Sequence, residues 1–190
     1  MRFLGIDPGL RITGYGCVEG PIHETRLVEA GIFRLGRAAM SDVGRSHIRH
    51  PTSDIRHPPS ALADPPRPTL APIPARLAEL DADFRALLER LRPDAVAVEA
   101  LFAHPKHPAT AILMAHARGV LLLAIRRADL PLIELRPAAV KRFLTGNGQA
   151  KKDQMQRAIQ TRLSLPAPPN PPDIADALAI ALCAAWRHAG

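Results

Sequence analysis

Three short stretches near the start of the chain are apolar at most positions and are separated by turn residues, a pattern that predicts β-strands. They are residues 2–7, 12–18 and 25–35. Between residues 74 and 91 the apolar positions recur every three or four residues, which predicts a helix with one apolar face. Later apolar segments predict strands at 95–99 and 131–135 and helices at 107–127, 137–145, 150–163 and 173–187. Three strands followed by alternating helices and strands indicate an α/β fold with a mixed sheet.

One stretch interrupts this pattern. Residues 37–70 are rich in arginine, histidine, serine and proline, and they repeat Ile-Arg-His-Pro at 48–51 and 55–58. Such a composition favours an inserted loop that contributes no core. The whole chain has 190 residues and a mass of 20.6 kDa, the size of one domain. We therefore expect a single domain over residues 1–190, with an insertion at about 37–70.

Positive charge is concentrated in the second half of the chain. The sequence has 25 basic and 18 acidic residues, a net charge of +7, and its pI is near 10.4. Residues 136–162 contain seven basic residues and one acidic residue, so this segment alone has a net charge of +6. It includes a Gly146-Asn147-Gly148 turn, whose N–H groups we expect to face phosphate. The segment favours a polyanionic partner such as nucleic acid.

The two cysteines, Cys17 and Cys183, lie in apolar surroundings and belong to no metal-ligand pattern. Charge interrupts the N-terminal segment, so it does not resemble a signal peptide. The longest apolar run, residues 119–125, is much shorter than the roughly 18 residues that a membrane span requires. These features predict a cytoplasmic protein without a membrane partner.

Two carboxylates stand at the ends of predicted strands. Asp7 closes the first strand just before Pro8-Gly9, and Glu99 closes the otherwise apolar run 95–99. Open α/β sheets bind ligands at the carboxyl ends of their strands. The alternative is a structural role in which an arginine or a backbone group pairs with each carboxylate, because burying a carboxylate unpaired costs several kcal/mol.

A further pair of carboxylates begins the last predicted helix. Asp173 and Asp176 are three residues apart, which places them on one face of that helix. Aspartate is also favoured in the first turn of any helix, so a capping role is the alternative. If both pairs meet, four carboxylates would suit two Mg²⁺ or Mn²⁺ ions, which activate water for phosphodiester hydrolysis.

The chain resembles the RuvC-type crossover junction endodeoxyribonucleases through a series of motifs in the family's order. The motifs are Gly5-Ile6-Asp7-Pro8-Gly9, Thr13-Gly14-Tyr15-Gly16, Val98-Glu99 with Phe102, Ala115-His116-Ala117-Arg118-Gly119, Val140-Lys141 and Asp173-Ile174-Ala175-Asp176. The resemblance implies an RNase H-like fold with a five-stranded mixed sheet flanked by helices. It also implies a homodimer that resolves four-way (Holliday) DNA junctions by paired, symmetric cleavage, in homologous recombination and DNA repair.

The same resemblance implies roles for individual residues. The metal-binding and catalytic acids are Asp7, Glu99, Asp173 and Asp176, joined in catalysis by Lys152. The DNA-binding residues are Phe102, Lys141, Lys151, Lys152 and Arg118. Two Mg²⁺ ions per site are implied as cofactors, with Mn²⁺ as a substitute. A branch-migration complex of the RuvA and RuvB type is a further partner that the resemblance suggests.

Two other functions stay open at this point. An actin-like ATPase or sugar kinase also places an aspartate and a glycine after its first strand, but such chains are longer and carry a second glycine-rich phosphate loop, which this sequence lacks. A junction-binding protein without catalytic activity is the second alternative. The presence of all four acids favours the nuclease over it.

Overall fold

A five-stranded sheet with helices on both faces organises the chain. The structure, a computed structural model, describes residues 1–21, 24–36, 71–100 and 108–188. The strands in these ranges are β1 (Arg2–Asp7), β2 (Ile12–Glu19), β3 (Arg26–Arg34), β4 (Ala95–Glu99) and β5 (Leu132–Leu135). The helices are α1 (Ile73–Leu91), α2 (Pro108–Arg127), α3 (Pro137–Thr145), α4 (Lys152–Arg162) and α5 (Pro172–His188). The predicted insertion at 37–70 lies outside the described residues.

The sheet is mixed, as the sequence predicted. Its strand order is β3-β2-β1-β4-β5. β1 pairs antiparallel with β2, and β2 pairs antiparallel with β3, as expected of a meander. β1 pairs parallel with β4, and β4 with β5, across helical connections. Because β1 and β4 are parallel neighbours, their carboxyl ends lie side by side at one edge of the sheet.

The predicted elements are confirmed, with small shifts at their ends. The largest shift is in α4, which was predicted over 150–163 and spans Lys152–Arg162. The side-chain oxygen of Gln154 accepts a hydrogen bond from the Lys151 N–H at 2.8 Å, which satisfies a donor at the helix start. The helix therefore begins after Lys151.

The two faces of the sheet pack against different helices. α1 and α2 cover one face, where Leu4, Ile6 and Val98 are buried with Phe84 of α1. α3, α4 and α5 cover the other face, where the core is built largely from α5. Side chains alternate between faces along a strand, so Asp7 and Glu99 point toward the α5 face.

Glycines in β1 and β2 let α5 lie directly against the strand backbone. A Cβ added at Gly5 would stand 2.2 Å from the carbonyl oxygen of Ala177, and one at Gly14 would stand 2.2 Å from that of Asp173. Distances this short leave no room for any side chain. The start of α5 is therefore fixed by contact between main chains.

Among the described residues, α2 is long and apolar enough by length and composition to cross a membrane, over residues 109–127. The sequence predicted this helix at 107–127, but the expectation of no membrane span rested on the uninterrupted apolar run at 119–125. One side of α2 is buried in the core through Ala117, Leu121 and Ile125. Its outer side exposes Ile112 and Leu123, at 58% and 50% of their surface.

Candidate nuclease active site

Asp7 and Glu99 lie next to each other at the carboxyl edge of the sheet. The register pairs Ile6 of β1 with Val98 of β4, so the following residues, Asp7 and Glu99, continue the same alignment. Both are partly buried. The adjacency of these two strand ends, which the four-carboxylate site requires, is thus present.

The first turn of α5 brings two more carboxylates to this edge. Asp173 and Asp176 both interact electrostatically with Asp7, and Asp176 also interacts with Glu99. Ala175 and Ala177 are buried, so this helix start is packed against the sheet rather than surrounded by solvent. A solvated capping role does not explain this position. The structure therefore brings together all four acids that the sequence singled out.

Burial and like charge oppose the ionisation of Asp7, Glu99 and Asp176. Burial raises the pKa of Asp7 well above its ordinary value, and the carboxylates of Glu99, Asp176 and Asp173 raise it further. The pKa of Glu99 rises to about 7, first through burial and then through Asp176. Burial also raises the pKa of Asp176. The four groups thus form an acidic cluster at this edge of the sheet.

Hard oxygen donors of this kind are the ligands that Mg²⁺ and Mn²⁺ prefer, and a divalent cation would offset the repulsion between them. Within the described ranges, no three acidic, histidine or cysteine side chains are arranged to hold an ion as they stand. The donor set fits a divalent metal by its chemistry, and the carboxylate side chains would turn toward a common ion on a fixed backbone to bind it.

Two lysines oppose the negative charge from the α3 and α4 side. Lys152, the first residue of α4, lowers the pKa values of Asp7 and Asp176. Lys141 of α3 does the same for Glu99 and Asp176. Lys151 precedes Lys152 and is exposed. The basic segment predicted at 136–162 therefore borders the carboxylates.

The turn between α3 and α4 differs from the expectation. The N–H of Asn147 donates to Oγ1 of Thr145 at 3.2 Å, and that of Gln149 donates to Oδ1 of Asn147 at 2.9 Å. The N–H groups of Gly146 and Ala150 donate to main-chain carbonyls. The prediction that this turn presents its N–H groups to phosphate is wrong for Gly146 and Asn147, because both N–H groups already have partners within the chain.

Arg118 lies behind Glu99. Its Nε donates to the main-chain oxygen of Glu99 at 3.2 Å, and its guanidinium pairs with Glu134 of β5. Its side chain is only 13% exposed. These contacts make Arg118 a positioning residue that joins α2 to the ends of β4 and β5. Its contact with DNA stays a prediction, and Phe102 lies outside the described residues.

Sequence reasoning missed the contribution of Gly14. The signal was present as alternating glycines in β2, at Gly14 and Gly16, because small residues on one face of a strand allow a helix to approach closely. Which helix would approach depends on the tertiary fold.

Comparison with known proteins decides the family. The model of the family described as crossover junction endodeoxyribonuclease RuvC matches residues 63–184. The RuvC of Chloroflexus aurantiacus is 41% identical over 186 residues, 98% of this chain and 93% of that protein. This chain belongs to the RuvC family. The RuvC of Moorella thermoacetica is 40% identical over 192 residues, 99% of this chain and 95% of that one.

A solved RuvC structure has the same architecture. Thermus thermophilus RuvC, solved in complex with a Holliday junction substrate, aligns with a TM-score of 0.75 at 29% identity, covering 100% of this chain and 95% of that one. The RNase H-like fold and the resemblance to RuvC nucleases are thereby confirmed. The RuvC family match includes Glu99, Asp173 and Asp176 and begins after Asp7.

Proposed function

We propose that this member of the RuvC family resolves four-way DNA junctions by hydrolysing phosphodiester bonds at the carboxylate edge of its sheet. The observation that carries the proposal is the meeting of Asp7 and Glu99, at adjacent parallel strand ends, with the first turn of α5. This edge lies beside the basic α3–α4 segment, which attracts the DNA backbone. An actin-like phosphotransferase does not fit the family match.

Asp7, Glu99, Asp173 and Asp176 would hold the metal, as two Mg²⁺ ions or Mn²⁺ in their place. When bound, such ions activate a water molecule and stabilise the leaving oxygen. Asp7 and Glu99 are held by the sheet, whereas Asp173 and Asp176 are held by the main-chain contact of α5 with β2. The rigid sheet and helix set the distance between the two pairs of ligands.

Lys152 stabilises negative charge that develops on the phosphate, since it already acts on Asp7 and Asp176. Lys141 of α3 lowers the pKa of Glu99, and the exposed Lys151 adds positive charge to the surface beside the site. These three lysines would hold the scissile strand on the β4–β5 side of the carboxylates.

Paired cutting requires two copies of the site, and α2 offers a surface for a second copy. Its exposed Ile112 and Leu123 form an apolar side that the described part of this chain does not cover. A two-fold dimer would bury the same face of both subunits. We expect Leu123→Glu to yield monomers by light scattering, while the matched change Leu27→Glu on the edge strand β3 leaves the dimer intact.

A DNA substrate of this kind supports the predicted location in the cytoplasm. A branch-migration complex of the RuvA and RuvB type stays an expectation drawn from the family resemblance.

The deciding experiment compares Asp7→Asn with the unchanged protein on a synthetic four-way junction and on a linear duplex, with Mg²⁺, Mn²⁺ or a chelator. We expect the unchanged protein to cut the junction symmetrically with either metal and not with chelator. Asp7→Asn should abolish cutting and retain junction binding, because it removes a metal ligand and leaves the basic surface intact.

Asp129→Asn is the matched control. Asp129 is 92% exposed in the turn after α2, at the opposite edge of the sheet, so this variant should cut at the normal rate. Junction cleavage by Asp7→Asn would overturn the proposal. Binding without cleavage by the unchanged protein would instead support a junction-binding protein that lacks catalytic activity.

A further inference from the structure

A second charged region adjoins the carboxylates on the side away from the lysines. A cavity of about 940 Å³ begins at Asp7 and Asp173 and extends along the β1–β2 turn toward the end of β3. Three arginines line it: Arg11 from the turn, Arg34 from β3 and Arg76 from α1. Residues of the first turns of α2 complete the wall. The cavity therefore joins the carboxylate site to an arginine cluster.

Arg76 shows that positive charge is built into this cavity. Its side chain is buried, with the residue only 8% exposed, yet it forms no ion pair within the described residues. Its Nη1 donates to the main-chain oxygen of Leu10 at 3.1 Å, whereas its Nε has no hydrogen-bond partner in that part of the chain. A buried guanidinium without a carboxylate partner is costly, and here its charge makes this end of the cavity attractive to anions.

Among the described residues, Arg11 and Arg34 have no acidic partner either. The ion pairs of the described residues use arginines elsewhere, namely Arg2, Arg26, Arg85, Arg90, Arg118 and Arg126. Arg11 and Arg34 are exposed, and both face the cavity that Arg76 closes from below. A planar guanidinium binds phosphate through two parallel hydrogen bonds, a geometry that lysine lacks.

We propose that this cavity binds a backbone phosphate of the cleaved DNA strand, next to the phosphate being hydrolysed. Arg11 and Arg34 bind it directly, and Arg76 positions the Leu10–Arg11 turn through its hydrogen bond to Leu10. The inference rests on the proposed function, because the cavity shares Asp7 and Asp173 with the cleavage site. A strand lying across the carboxylates would meet lysines on one side and these arginines on the other.

The test uses Arg11→Gln and Arg34→Gln, which change exposed side chains and should not affect folding. Arg127→Gln is the control, because Arg127 is exposed at the far end of α2. Each protein also carries Asp7→Asn, so that junction binding is measured without cleavage. We expect each cavity variant to bind a synthetic four-way junction about 3- to 10-fold more weakly and to lower the slope of log affinity against log salt by about 1.

A neutral methylphosphonate, placed in turn at each phosphate flanking the cut, locates the contact. At one position, we expect the methylphosphonate to weaken junction binding by the protein that keeps Arg11 and Arg34. At the same position it should not weaken binding by the Arg34→Gln variant any further. Additive effects at every position, or a salt slope equal to that of Arg127→Gln, would overturn the inference. The proposed function is tested separately by the cleavage assay, and it fails if the protein that retains Asp7 does not cut the junction.

Discussion

The two faces of the sheet are packed in different ways. On the α1–α2 face, large side chains such as Leu4, Ile6 and Phe84 interlock and are fully buried. On the α5 face, Gly5 and Gly14 remove the side-chain layer, so a helix backbone rests on strand backbone. Both arrangements bury apolar side chains, which stabilises the fold. The second fixes a distance between main chains, and it is the face that carries the carboxylates.

Because of this difference, the two faces should respond differently to substitution, one mainly in stability and the other mainly in the positions of the catalytic groups. A layer of side chains adjusts to a small shift through new rotamers, whereas two backbones in contact do not. A metal site made from two strands and one helix needs its ligands held to a fraction of an ångström. Changes on the α5 face should therefore impair cleavage first, and changes on the α1–α2 face should impair stability first.

The largest effect is expected from Gly14→Ala. The added methyl group would stand 2.2 Å from the main-chain oxygen of Asp173, so the first turn of α5 must move. A displacement of about 1 Å at a catalytic group costs on the order of 100-fold in rate. Single-turnover junction cleavage should fall by at least that factor, while circular dichroism still reports a folded protein.

Gly119→Ala is the matched control for that change. A methyl group at Gly119, in the interior of α2, meets nothing within 4 Å. Gly119 lies on the same side of α2 as Ile112 and Leu123, so light scattering first checks that the variant is still a dimer. As a dimer it should cleave normally and gain up to about 1 kcal/mol in the free energy of unfolding, since alanine favours the helix. If Gly14→Ala also cleaves normally, the close contact of α5 with β2 does not set the geometry of the site.

Phe84→Ala tests the opposite face. Phe84 is fully buried among the α1–α2 core residues, so its truncation should lower the free energy of unfolding by about 3–5 kcal/mol in chemical denaturation. The cleavage rate of the folded fraction should stay within about twofold of normal at low temperature. A much larger loss would show that this face also positions the carboxylates.

The sequence predicted the elements and the strand-end acids because these depend on local patterns. Apolar runs bounded by turn residues predict β1 and β4. Asp7 and Glu99 are recognisable as candidates because each is a carboxylate at the end of such a run. Their adjacency was conditional on strand order, which the sequence left open and the parallel pairing of β1 with β4 supplies.

What the sequence did not predict depends on contacts between distant residues. Arg118 resembles any basic residue of a DNA-binding chain, yet it hydrogen-bonds to Glu99 across the fold. Arg76 lies in an ordinary amphipathic helix, and only the packing of α1 against the β1–β2 turn buries it. The glycine turn at 146–148 has a phosphate-binding composition, but the N–H of Gly146 donates to the main-chain oxygen of Arg142 and that of Asn147 donates to Oγ1 of Thr145.

The smallest effect concerns stability without metal. The pKa of Glu99 is raised to about 7, and those of Asp7 and Asp176 are raised as well, so the folded protein binds more protons than the unfolded chain at mildly acidic pH. Stability must therefore fall as pH increases from about 4.5, where a free glutamate titrates, to about 7. Thermal melting with chelator at pH 5, 6 and 7 measures this slope.

Asp7→Asn should raise the melting temperature of the metal-free protein by about 2–4 °C at pH 7, the shift that corresponds to about 1 kcal/mol in a domain of this size. The amide keeps the shape of the side chain and removes a charge that Glu99, Asp176 and Asp173 oppose. The melting temperature of the variant should also depend less on pH, because one titrating carboxyl group is gone. Mg²⁺ should raise it by a smaller amount, because a metal ligand is missing. A lower melting temperature at pH 7 would mean that Asp7 has a stabilising partner, and the carboxylate edge would then be part of the scaffold.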